Sequence, residues 1–70
     1  MRVNTQLLEE KIADSGIKVS HIINKLGLSP EGFYKKKRGE TPFRIAEIYV
    51  LCDLLRISEK EKSQIFYPEG

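Results

Sequence analysis

Seventy residues with 40% hydrophobic and 31% charged side chains and a formal net charge of +2 describe one small soluble-type domain, residues 1–70, rather than a fibrous, low-complexity or disordered chain. No apolar run approaches the roughly 20 residues that span a bilayer, and the opening Met-Arg-Val-Asn-Thr-Gln lacks the apolar stretch of a secretory signal. The single cysteine, Cys52, cannot form an internal disulfide, so a reducing, cytoplasmic setting is expected.

The first helix is predicted from Thr5 to Asp14. Asn4 precedes it as an N-cap whose side chain can accept from an unpaired backbone N–H, and Val3 with Leu8 can staple the entry. Leu7, Leu8 and Ile12 mark its buried side, and Gly16 suits the left-handed stop after which Ile17 folds back. The second helix is predicted from Val19 to Leu26. Its Val19, Ile22, Ile23 and Leu26 share one helical face, and Gly27 stops it so that Leu28 can pack back on Ile23.

The third helix is predicted from Pro30 to Lys37. Ser29 caps it, and Pro30 stands in the first turn, where a missing N–H costs nothing. Glu31 suits the positive end of the helix dipole, and Lys37 and Arg38 the negative end. Phe33 is its only strong apolar anchor, Lys36 and Lys37 can add only their aliphatic stems, and Gly32 weakens the helix by about 1 kcal/mol relative to Ala. A helix so poorly supplied with core residues reads as a displayed surface.

Glu40-Thr41-Pro42-Phe43 is a loop. The fourth helix is predicted from Arg44–Ala46 to Leu55, with Ile45, Ile48, Leu51, Cys52 and Leu55 as the chain's longest apolar stripe and Tyr49 and Val50 partly off it. On that stripe Cys52 reads as a small buried hydrophobe. Ser58-Glu59-Lys60-Glu61 is a capping box opening a fifth helix, whose apolar side is Ile65 and Phe66 and which Pro68 ends. The expected fold class is therefore all-α, a five-helix bundle.

Charge is unevenly spread. Residues 18–44 hold seven cations against Glu31 and Glu40, a net of +5, while the segments on either side are net acidic. This concentration matches what phosphate contact requires. It falls on two short helices joined by a tight turn at Gly27-Leu28-Ser29, the second ending in Lys35-Lys36-Lys37-Arg38. A tight helix-turn-helix with a basic second helix suits a DNA major groove.

The frame Leu26-Gly27-Leu28-Ser29, with Phe33 as inner anchor, Gly39 closing the third helix and an apolar fourth helix behind, resembles the phage repressor/Cro-like helix-turn-helix proteins, the xenobiotic-response-element family. The resemblance covers roughly Thr5 to Leu55 and implies a lambda-repressor-like bundle. It further implies sequence-specific binding of double-stranded DNA by a phage or prophage transcriptional regulator in a bacterial cytoplasm. Three positions depart from the family's pattern. Ile23 stands where Ala is usual, lysines replace a second aliphatic near Lys36-Lys37, and Lys18 replaces the Ser or Thr that caps the second helix.

Carried over by position, the resemblance makes Ser29, Pro30, Glu31, Tyr34 and Lys35 the base-reading residues. Lys35 can donate to guanine O6 and N7 and Glu31 can accept from cytosine N4. Simple dipole stabilisation also explains Glu31, and partial burial against the second helix also explains Tyr34. Lys18, Ser20, Lys36, Lys37, Arg38 and Arg44 are candidates for phosphate. The family's dimeric habit implies a homodimer, formed in solution or only on DNA, through Tyr49, Ile57, Ile65, Phe66 and Tyr67. Ile65 and Phe66 can equally close the monomer's own core.

Nothing in the sequence asks for a cofactor, a metal, a small-molecule substrate or a membrane, and an enzyme is not expected. His21 is the only histidine and has no Cys or acidic ligand at metal spacing. Glu9-Glu10 and Glu59/Glu61 are explained by solvated faces and a cap, and no glycine-rich phosphate loop follows a strand. The alternative function is a small interaction module, antirepressor-like or antitoxin-like, docking the basic third helix on an acidic partner.

Overall fold

The computed structural model describes residues 3–68, which form five helices and, among those residues, no strand. Arg2 and Glu69, which enter the charge tally, lie outside the described residues. The helices are α1 (Thr5–Ser15), α2 (Val19–Leu26), α3 (Pro30–Lys37), α4 (Ile45–Leu55) and α5 (Glu59–Phe66). No helix among the described residues is long and apolar enough to cross a membrane.

The helix ends follow from local chemistry. Asn4 Oδ1 accepts from the Leu7 amide at 3.2 Å, and Ser29 and Ser58 cap α3 and α5 through the Gly32 and Glu61 amides. Lys18 makes no side-chain cap bond, as a cation with no acceptor must not. At Gly27, with φ of 70°, the Leu28 amide reaches back to Ile23 O and the Gly27 amide to Asn24 O. The same paired closure ends α3, where Gly39 has φ of 86° and Glu40 N donates to Lys35 O at 2.9 Å. Arg56 ends α4 in the left-handed region without being glycine, at φ of 54°. α1 runs one residue past the expected Asp14, because the Ser15 hydroxyl donates to Ile12 O and accepts from the Ile17 amide.

Each helix supplies one large, fully buried side chain: Leu8, Ile22, Phe33, Leu51 and Ile65. Full burial of a residue of this size contributes about 1.5–3 kcal/mol. α2 packs on α3 and α4, and α1 packs on α4 and α5. Polar links close the bundle. The Asn4 amide donates to Ile65 O at 2.6 Å, and Lys11 Nζ lies 3.0 Å from Glu61 Oε2, tying α1 to α5.

Three expectations are corrected by this packing. Ile45 is not part of the core stripe: at the first position of α4 it is 67% exposed, and Glu47 and Ile48 turn inward instead. Ile57, Ile65 and Phe66 are not surface residues available to a second copy: all three are buried within the chain's own core, which for Ile65 and Phe66 is the alternative reading of the sequence. Phe66 meets Phe43 edge-on, with ring centroids 5.6 Å apart. Cys52 is only half-buried, and desolvation raises its thiol pKa.

Candidate nucleic-acid interface

α3 has two unlike sides. Phe33 and Lys36, three residues apart, face inward. Glu31, Tyr34, Lys35 and Arg38, at spacings of 3, 4 and 7, make one outward stripe, and all four are exposed. Ser29 and Pro30 at the start of the helix are exposed as well, so all five residues expected to read bases lie on accessible surface. Tyr34 is held without being buried: its ring meets Phe33 edge-on at 5.5 Å, and Lys37 Nζ sits 5.0 Å from its centroid. Gly32 has a local role. A Cβ there would lie 3.1 Å from Ser29 Oγ and crowd the cap that starts the helix.

The basic residues divide by partner. Lys18 and Lys35 are exposed and among the described residues have no ion-pair partner; the same holds for Arg44, and Ser20 is exposed near the start of α2. Lys18 and Lys37 border a common cleft over Phe33, with Glu9 on its α1 side. Lys37 is mostly covered and lies 3.8 Å from Glu9. Arg38 Nε donates to Glu40 Oε2 at 2.6 Å, both side chains being half-exposed. That hydrogen bond lowers the Glu40 pKa and raises that of Arg38.

Lys36 is the correction among the expected phosphate contacts. Its Nζ donates to Glu47 at 2.7 and 2.9 Å, and both side chains are nearly covered. A cation in this position is already spent inside the fold. The spacing of three from Phe33 carried the signal, since a lysine on the anchor's side of a helix needs a buried carboxylate. Sequence reasoning missed that carboxylate. Glu47 sits at the third position of α4, where its Oε1 also accepts from the Arg44 amide at 2.8 Å. Burial alone pushes the Glu47 pKa up, but hydrogen bonds from Lys36 and the Arg44 amide, with the charges of both residues, outweigh it and leave the pKa lowered.

Elsewhere the surface offers little chemistry. His21 is exposed on α2, and among the described residues no three His, Cys, Asp or Glu side chains gather where they could hold a metal ion. Of the residues expected at a dimer surface, Tyr49 and Tyr67 remain accessible, Tyr49 with Lys62 Nζ 5.2 Å from its ring centroid. No protein-family model, curated protein or solved structure matches the chain.

Proposed function

We propose that this protein binds double-stranded DNA through a helix-turn-helix formed by α2 and α3, as a transcriptional regulator of the repressor/Cro-like kind. The observation that carries the reading is the outward stripe of Glu31, Tyr34, Lys35 and Arg38 on a helix anchored from behind by Phe33. An α-helix fits the major groove, where each base pair presents a distinct set of donors and acceptors. Lys35 donates to guanine and Glu31 accepts from cytosine, while Tyr34 packs on a thymine methyl or reaches a phosphate.

Lys18, Ser20, Lys37, Arg38 and Arg44 hold the phosphates and set register without reading sequence. With about four phosphates neutralised per subunit, the log–log salt slope is near −3.6 for one subunit and near −7 for a pair. One α3 covers too few base pairs for a specific operator, so the protein acts as a homodimer on half-sites ~34 Å apart. Tyr49 and Tyr67 are the remaining exposed candidates for that contact.

The test is selection of bound sites from random duplex DNA, followed by fluorescence anisotropy on the selected duplex. An enriched motif repeated one helical turn apart is the expected result. Failure to bind any duplex at low salt would sink the proposal and favour an acidic protein partner.

A further inference from the structure

α3 is the least apolar of the five helices and contributes one buried side chain, Phe33, where each of the others contributes at least two. One anchor fixes a helix's position better than its rotation. Lys36 and Lys37, three and four residues beyond Phe33, both lie on the anchor's side of the helix, so a partial turn that leaves the ring buried decides which of the two points inward. A polar contact resolves the ambiguity. Glu47 is the only buried charged residue among those described. Its direction is set by its own helix, since Oε1 accepts from the Arg44 amide at 2.8 Å. From that fixed position both carboxylate oxygens take Lys36.

We infer that Glu47 sets the rotation of α3 by selecting Lys36 over Lys37, and so is the positioning residue that decides which side chains form the outward stripe. With Lys36 inward, Lys35 faces out and Lys37 lies along the flank over Tyr34. Lys37 at Glu47 would present a different set of side chains to any ligand. The part of this inference that concerns base reading rests on the DNA function proposed above; the part that concerns rotation does not.

The test compares Glu47→Gln with Glu47→Gln/Lys36→Met. Gln keeps an oxygen for the Arg44 amide and drops the charge that holds Lys36. Met in the double variant restores an inward preference at position 36 by apolar burial, without touching the cap. Two readouts are taken: amide hydrogen exchange along the chain, and the ratio of affinities for the selected duplex over a random one. In Glu47→Gln, protection at residues 34–37 should fall about tenfold relative to α1 and α5. The affinity ratio should fall about tenfold, with random-duplex affinity held within about twofold. The double variant should recover most of both. Unchanged protection at residues 34–37 in Glu47→Gln, or failure of Met to restore it, overturns the inference and leaves Glu47 a helix cap only. If the wild type binds no duplex, the DNA proposal fails, and the exchange comparison alone decides the rotation.

Discussion

The Thr5 hydroxyl donates to the Lys37 carbonyl at 2.9 Å, so the first turn of α1 closes the last turn of α3 across 32 residues of sequence. Carbonyls at a helix C-terminus lack intrahelical partners, and here one of them is met by another helix. The displayed helix is thereby tied at its C-terminal turn to α1 through Thr5 and to α4 through Lys36 and Glu47.

Thr5→Val keeps the shape and removes the donor. A net loss of about 1 kcal/mol is expected, as for an ordinary intramolecular hydrogen bond, which lowers Tm by about 4–8 °C in a domain of this size. Thr5→Ser should retain most of the wild-type value. Thermal unfolding followed by circular dichroism makes the comparison.

Acid should weaken the α3–α4 link. The Glu47 carboxyl holds its proton less tightly in the folded chain than in the unfolded one. The stability this gives is therefore present above the ordinary carboxylate pKa and is lost as pH falls through the lowered folded value. Glu47→Gln should be less stable than wild type by about 2 kcal/mol at neutral pH, and the two should converge in acid. Urea unfolding across the acid range reads this directly; a gap that stays constant with pH would contradict it. Glu61, whose pKa is lowered by the Ser58 amide and Lys11, adds to the acid sensitivity of the α1–α5 contact.

Under the proposed DNA function, Glu40, which holds Arg38 Nε at 2.6 Å, would compete with phosphate for it. Replacing it by Gln frees the guanidinium and removes a negative charge beside the proposed backbone contact. Glu40→Gln should tighten binding to every duplex by about three- to tenfold at low salt and lose that advantage as salt rises. Anisotropy titrations on a random duplex at two salt concentrations test this.

Surface and core assignments separate cleanly by mutation. Ile45→Lys should leave stability within about 0.5 kcal/mol of wild type, whereas Phe33→Ala should cost about 3–5 kcal/mol and unfold much of the population. Arg56→Gly should raise Tm slightly, because left-handed backbone costs a non-glycine residue about 1–2 kcal/mol, offset in part by the freer unfolded chain. Denaturant midpoints for the three variants are the measurement.

The five helices were legible because their ends are written in local chemistry. Asn4, Ser29 and Ser58 cap, Gly16, Gly27 and Gly39 stop, and both signals act within a few residues. The sequence was less informative wherever a residue's fate depends on a partner far along the chain. Helical spacing put Ile45 on the stripe, but spacing gives an angle around the axis and not how far along it the neighbouring helices reach. Lys36 lay inside a run of cations that read as one basic surface, while its partner Glu47, eleven residues on, read as an ordinary charge on an apolar helix. Ile57, Ile65 and Phe66 were apolar in either role, and only the packing of α5 on α1 decides between core and interface. Arg56 carries no mark of its left-handed backbone, since the usual glycine is absent.

The central claim is that the outward stripe of α3 reads duplex DNA, and it is tested most directly by titrating wild type, Lys35→Ala and Arg38→Ala against the selected and a random duplex over a range of salt. Lys35→Ala should lose about 1–3 kcal/mol on the selected duplex and little on the random one. Arg38→Ala should weaken both alike and flatten the salt slope by about 1. Equal losses from Lys35→Ala on the two duplexes, or no salt-dependent binding by the wild type, would contradict the account.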